Sequence, residues 1–264
     1  MHGWCWGSGL GLGYTEKRLI KAIFIGWSCA FVGQSYIQIT EVVRNLAGTM
    51  SRTERAKLGR QEIIQNIMDA AIIEFSQHGF IGASTQAIAE RAGLKKSQLH
   101  YYIEDKEALY SKVLGKVLNA WADFFSFDET PGSEPAEELK KFIEMKLDYA
   151  LDHPQLSRIF TMEILSGGAR LEEYWPQAIA ATMRKVERIN RWAEEGKLRA
   201  PDGRLLIMHI WALTQYYSDY TLQAEKLMDG PLTDPEVREK ILHELTTFIL
   251  QGCGICCGIS SPAL

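Results

Sequence analysis

The chain has 264 residues, 46% hydrophobic and 23% charged, which excludes a disordered polypeptide and allows one or two packed domains. Its net charge of −4 argues against a nucleic-acid partner until the distribution is read. Residues 51–106 carry eight Lys/Arg against seven Asp/Glu, whereas residues 107–264 carry seventeen against twenty-four, so a slightly basic segment precedes an acidic remainder. No cysteine lies between residues 30 and 252, so the core needs no disulfide, and a reducing cytoplasm is the expected location.

Residues 1–49 differ from the rest. A Gly- and Trp-rich start (Trp4, Trp6, Gly7, Gly9) gives way to Lys17, Arg18 and Lys21 and then to an apolar run over residues 22–32. That order resembles a secretory signal, but the run is shorter than the roughly 20 apolar residues that cross a bilayer, so no membrane partner is expected. Met50 opens Ser51-Arg52-Thr53-Glu54-Arg55, a plausible natural start, and residues 1–49 are expected to be disordered or a non-native extension.

From Gln61 the apolar residues Ile63, Ile64, Ile67, Ala70, Ala71 and Phe75 recur at three and four, which predicts a helix ending at Gly79. Ser84 or Thr85 caps a second helix over 86–92, stopped by Gly93. A third short helix follows over 96–102, and Glu104-Asp105 caps a fourth over 106–125. Two short helices joined by a Gly-containing turn form a helix-turn-helix. Downstream, Ser133-Glu134-Pro135 opens a helix to about Asp152. His153-Pro154 breaks it, and the next runs to Ile164. After a loop at Ser166-Gly167-Gly168, a helical segment reaches Glu195. Two long helices close the chain, over 205–227 and 236–251. No strand alternation, repeat or phosphate-binding glycine loop is found, so the expected fold class is all-α. The divisions are an extension (1–49), a helix-turn-helix domain (50–106), an effector-binding and dimerisation domain (107–252) and a flexible tail (253–264).

The stretch Ser84-Thr85-Gln86-Ala87-Ile88-Ala89 through Ala92-Gly93-Leu94, Leu99-His100-Tyr101-Tyr102 and Lys106-Glu107-Ala108-Leu109 resembles the DNA-binding segment of the TetR family of regulators. Ile88, Ala89, Leu94 and Leu99 make a small core that sets the crossing of the two helices. The outer face of the third helix presents Lys95, Lys96, Ser97, Gln98, His100 and Tyr101 to a major groove. Thr85 joins them at the start of the second helix. Lys106 reaches the phosphate backbone, as the resemblance implies. Arg52, Arg55, Lys57 and Arg60 form a basic arm ahead of the first helix. Two departures stand out: Lys95 replaces a capping Ser or Thr, and Ile103 replaces a Phe.

Beyond that segment, Lys146-Leu147-Asp148-Tyr149, His153-Pro154-Gln155, Met162-Glu163, Gly196-Lys197-Leu198 and Ile210-Trp211 through Gln215 and Asp219 resemble the pyrimidine-responsive members of the same family. The resemblance implies a small-molecule effector, uracil or thymine, held by Trp121, Trp211 and Gln215. Asn119 stands where relatives can carry an acid. A flat pyrimidine needs an aromatic face and an amide that donates and accepts at its imide edge. Trp211 and Gln215, four apart, share a helix face. On residue type alone both tryptophans would be core packing.

The alternative is a regulator of the same family answering to another small molecule: a lipophilic compound, an acyl-thioester or a catabolite. An enzyme is disfavoured, because no His-Glu-x-x-His, helical Glu-x-x-His pair or nucleophile elbow occurs. No cofactor and no metal are expected; Cys253-x-x-Cys256-Cys257 has half a metal site's spacing but sits at a Gly/Ser-rich end. The expected partners are double-stranded operator DNA, the effector and a second copy of the chain. The copies would join through Leu206, Ile210, Leu213, Tyr217 and Tyr220 of one late helix and Ile241, Leu242, Leu245, Phe248 and Ile249 of the other.

Overall fold

The computed structural model describes residues 52–124, 134–199 and 201–255. The extension before Met50 and the end of the tail, including Cys256 and Cys257, lie outside the described residues. Internal contacts separate Met1–Ile63 from Ile64–Leu264.

Among the described residues the regular structure is helical. α1 runs Arg52–Gly82, α2 Thr85–Arg91, α3 Lys96–Tyr102 and α4 Lys106–Phe124. They are followed by α5 Pro135–Asp152, α6 Pro154–Leu165, a 3-10 turn Ala169–Leu171, α7 Trp175–Glu194, α8 Gly203–Asp219, α9 Thr221–Leu227 and α10 Pro235–Gly252.

α1 begins nine residues before the apolar period does. Glu54-Arg55-Ala56-Lys57-Leu58 are strong helix formers with no breaker among them, so propensity carries the helix where periodicity is silent. Arg52, Arg55, Lys57 and Arg60 therefore lie within the first described helix rather than ahead of it. At its far end Gly79 takes φ 64°, a conformation glycine adopts without steric cost, and one further turn to Gly82 follows that kink.

The helix-turn-helix is fixed by local chemistry. Ser84 caps α2, its hydroxyl accepting from the Ala87 N–H at 3.4 Å, and its own N–H donates to Glu74 Oε1 of α1 at 3.1 Å. Gly93 takes φ 73°, and the Leu94 N–H closes the turn on Ala89 O at 2.9 Å. Ile88, Ala89 and Leu99 are fully buried, with Phe75, Leu109 and Tyr110 beside them in the core and Leu94 only half-buried. Asp105 caps α4 by accepting from the Ala108 N–H at 2.7 Å.

The second core packs α5, α7, α8 and α10 around Leu139, Phe142, Ile143, Leu147, Ile189, Trp192, Ile207, Ile210 and Ile249. The helix expected over 205–227 is two helices. Tyr220 departs to φ −112°, ψ 31° between α8 and α9. The Ser218 carbonyl accepts from Arg158 Nη2 of α6 at 3.4 Å and from the Thr221 hydroxyl at 2.9 Å, so side chains satisfy what helix continuation would have satisfied. Cys253, assigned by composition to a flexible tail, is buried, and its carbonyl accepts from the Arg199 N–H at 2.9 Å.

Candidate DNA-reading head and effector cavity

α3 offers Lys95, Lys96, Ser97, Gln98, His100 and Tyr101 to solvent, with Tyr101 73% exposed, while Leu99 beneath them is sealed. A seven-residue helix held by a buried leucine and open on its other side has the shape of a major-groove reader. Thr85 is half-buried at the start of α2, and Lys57 and Arg60 are exposed on α1. The side chains of Arg52 and Arg55 lie outside the described residues.

Two of these side chains have partners within the protein. Gln98 Oε1 accepts from the Lys95 N–H at 2.8 Å, so the residue at the third position of α3 closes the helix start that Lys95 leaves without a side-chain cap. Lys106 donates to the Ala83 carbonyl at 3.1 Å and the Ile81 carbonyl at 3.5 Å, and its ammonium stands 4.6 Å from the Phe80 ring centroid. It thereby satisfies carbonyls after the Gly79 kink.

Trp121 of α4, Trp211 and Gln215 of α8 line one cavity of about 500 Å³. Its walls also include Lys146 of α5, Phe160 and Thr161 of α6, Lys185 of α7, and Asn119, Ile164, Leu165, Ile179 and Asp219. The cavity is thus built by five helices rather than by the two that carry the expected residues.

The amide of Gln215 is oriented by a network. Its Nε2 donates to Asp219 Oδ1 at 3.0 Å and to Thr161 Oγ1 at 3.1 Å, and the Thr161 hydroxyl donates to Asp219 Oδ2 at 2.9 Å. A carboxylate accepts only, so the NH2 must face it and the carbonyl must face away. An amide expected to donate and accept at a ligand edge therefore has its donors committed to protein, and Oε1 is left to accept. Trp121 is likewise engaged: Lys146 Nζ lies 4.3 Å from its ring centroid and Phe160 packs edge-on at 4.5 Å. Its indole N–H is buried without an acceptor among the described residues. Tyr216, Tyr217 and Tyr220 do not line the cavity; Tyr216 and Tyr220 stack at 5.1 Å.

Sequence reasoning missed Lys146. It is 7% exposed and its pKa is lowered to about 7, by burial first and by the Lys185 charge second. The signal was available: Leu139, Phe142, Ile143, Lys146, Leu147 and Ala150 recur as one apolar stripe in which a lysine occupies a core position.

A helix-turn-helix head joined to a cavity-bearing helical domain is the architecture of a transcription regulator, and the comparisons agree with that class. Residues 67–113 match the family described as bacterial regulatory proteins, tetR family, and residues 114–256 match the YcdC-like protein, C-terminal region. The chain is 37% identical over 188 residues to the HTH-type transcriptional regulator RutR of Escherichia coli K12, covering 70% of this chain and 88% of that one. It is 29% identical over 129 residues to the HTH-type transcriptional repressor SCO4008 of Streptomyces coelicolor, covering 46% and 64%. Among solved structures, AibR in complex with isovaleryl coenzyme A and operator DNA has a TM-score of 0.57 at 12% identity, covering 70% of this chain and 97% of that one. A TetR-like regulator from Rhodococcus sp. RHA1 has 0.53 at 18%, covering 73% and 96%. The chain belongs to the TetR family of transcription regulators. Its RutR-like relatives are regulators rather than enzymes.

Proposed function

We propose that the protein is a cytoplasmic, homodimeric repressor whose grip on operator DNA is loosened by a pyrimidine, uracil or thymine, bound in the cavity of α4–α8. The observation that carries this reading is the pinned Gln215 amide. With its NH2 held by Asp219 and Thr161, Oε1 accepts a ring N–H, while the Trp121 indole N–H and the Lys146 amine stand as donors for ring carbonyls. The imide edge of uracil, one N–H between two carbonyls, calls for an acceptor and donors of these kinds. The likeness to RutR supports the same class of effector. On the DNA side, the exposed face of α3 reads bases and the cations of α1 and α3 meet phosphates.

A second reading has its own observation. A cavity of about 500 Å³ exceeds the roughly 150 Å³ that a one-ring ligand fills, and Leu118, Ile164, Leu165 and Ile179 line it. An acyl-thioester would use that apolar volume, and isovaleryl coenzyme A is the ligand named for AibR. Titration calorimetry and thermal unfolding separate the two. Uracil or thymine raises the melting temperature of the whole protein if the first reading holds, since a ligand bound by the native state alone stabilises it. A response to acyl-thioesters with none to either pyrimidine establishes the second.

A further inference from the structure

We propose that the cavity has an apolar arm, walled by Leu118, Ile164, Leu165 and Ile179, that receives an alkyl group at C5 of the pyrimidine, so that thymine is bound more tightly than uracil. The inference rests on the pyrimidine reading above and names which of the two rings the site selects.

The lining divides into two ends. The hydrogen-bonding groups gather where Gln215 and Asp219 of α8 meet Thr161 of α6. Ile164 and Leu165 follow Thr161 by three and four residues, so they share its face of α6 about 5 Å further along the axis. On α7, Ile179 stands six residues, or about 9 Å, before Lys185. On α4, Leu118 lies three residues before Trp121. Three helices thus each carry an aliphatic side chain set apart from a polar or aromatic one that lines the same cavity.

The orientation of the ring decides which of its edges meets the arm. With the Gln215 NH2 held by Asp219 and Thr161, Oε1 accepts from the imide N–H, and the carbon edge of the ring points away from that network. That edge carries only C–H groups, so apolar surroundings cost it no hydrogen bond. One ring fills roughly 150 Å³. The cavity of about 500 Å³ leaves room for a substituent. Ile164, Leu165 and Ile179 are exposed although they line the cavity, so an alkyl group among them removes apolar surface of both ligand and protein from water. Each methylene so buried contributes about fourfold in affinity. Uracil leaves the arm to water and lacks that gain.

The test is calorimetric titration of the full-length protein with uracil, thymine and 5-ethyluracil. Thymine should bind about fourfold more tightly than uracil, and 5-ethyluracil at least as tightly as thymine. In Ile164→Ser or Ile179→Ser, both at exposed positions, the preference for thymine should fall to within about twofold, with thermal unfolding confirming that the variants fold. Three results overturn the arm and leave the pyrimidine reading standing: a wild-type preference for thymine under about twofold, weaker binding of 5-ethyluracil than of thymine, or a preference that survives in both variants. Binding of none of the three compounds overturns both.

Discussion

Arg170 lies over the Phe80 ring, its guanidinium carbon 3.7 Å from the centroid. Phe80 follows the Gly79 kink at the end of α1, whereas Arg170 belongs to the 3-10 turn after α6, so the pair joins the helix-turn-helix side to the cavity side. Its guanidinium also pairs with Glu107 at the start of α4. Behind it stands Glu163 of α6, 1% exposed, which accepts from the Arg170 N–H at 3.1 Å and shares a hydrogen bond with Tyr110 of α4. Burial first, and the Glu163 charge second, push the Tyr110 phenol well above its ordinary pKa. Ile164 and Leu165, the next residues of α6, line the cavity. One helix therefore touches both the cavity and the charged junction with α4.

Arg170→Ala should destabilise the protein by about 1–3 kcal/mol, because it removes the cation beside a buried carboxylate along with a stacking contact. Arg170→Lys should recover only part, since an ammonium cannot span Phe80, Glu107 and Glu163 together. Chemical unfolding measures both. Operator affinity by anisotropy, with and without the bound pyrimidine, should show the coupling of on the order of 1–3 kcal/mol falling by at least about half. Undiminished coupling in Arg170→Ala would place the transmission elsewhere.

Replacing Gln98 and replacing Lys106 should have different signatures. Gln98→Ala removes the acceptor at the start of α3, costing about 0.5–2 kcal/mol of stability, and also relaxes base preference. His100→Ala should relax preference with little loss of stability, since His100 is exposed. Lys106→Ala should weaken all sequences alike and reduce the salt slope by about one, while freeing the Ala83 and Ile81 carbonyls. Equal operator binding by all three variants would remove α3 and its neighbour from the interface.

The helix-turn-helix was legible because its determinants are local: the Ser84 cap, the Gly93 turn and the three-and-four spacing of Ile88 and Leu99 are each written within a few residues. The cavity was legible only through resemblance, since a tryptophan on a helix reads as core packing until Gln215 is placed beside it. What escaped is long-range. The break at Tyr220 depends on Arg158 reaching Ser218 from sixty residues away, and the Glu163–Arg170–Phe80 junction has no short sequence signature. Lys146 had one, a charge within an apolar stripe, and went unread because its neighbours Lys140 and Lys141 are ordinary exposed lysines.

Lys146→Met should make the protein more stable, and the gain should depend on pH. The folded-state pKa of about 7 lies below the usual 10.5, so between those values the unfolded chain binds the extra proton and wild-type stability rises with pH. Below about pH 7 the ammonium is charged in both states and its burial cost is fully present. The variant's advantage should therefore be largest near pH 6 and should shrink steadily towards pH 10. Lys185, which also lines the cavity, shifts in the same direction, and Tyr149, raised to about 12 by burial, stays neutral in this window. Unfolding free energies of both proteins across that range check it; a pH-independent difference would contradict a buried, titrating lysine.

Only part of the surface that the sequence pattern singles out for the dimer is exposed to form it. Leu206, Ile210, Ile241, Leu245 and Ile249 are buried within the chain's own core, and Leu213, Tyr217 and Leu242 are partly buried against it. Tyr220 and Phe248 remain exposed, and Leu205 and Met208 present a further apolar strip on α8. Phe248 is 67% exposed on α10, which ranks it as the anchor of a seam that pairs α8 and α10 with their copies around a two-fold axis. Operator reading needs that seam, because two heads must enter successive major grooves about 34–36 Å apart or a multiple of that. Phe248→Glu sets four charges of one sign near the axis only if the partner helix lies there, two from the new residue and two from the neighbouring Glu244. It should convert the protein to a monomer in light scattering at micromolar concentration. Operator affinity should fall by at least about a hundredfold, since one half-site then binds alone, while the melting temperature at high dilution should barely change. A Phe248→Glu protein that still scatters as a dimer would mean that the exposed apolar face of α10 serves another purpose.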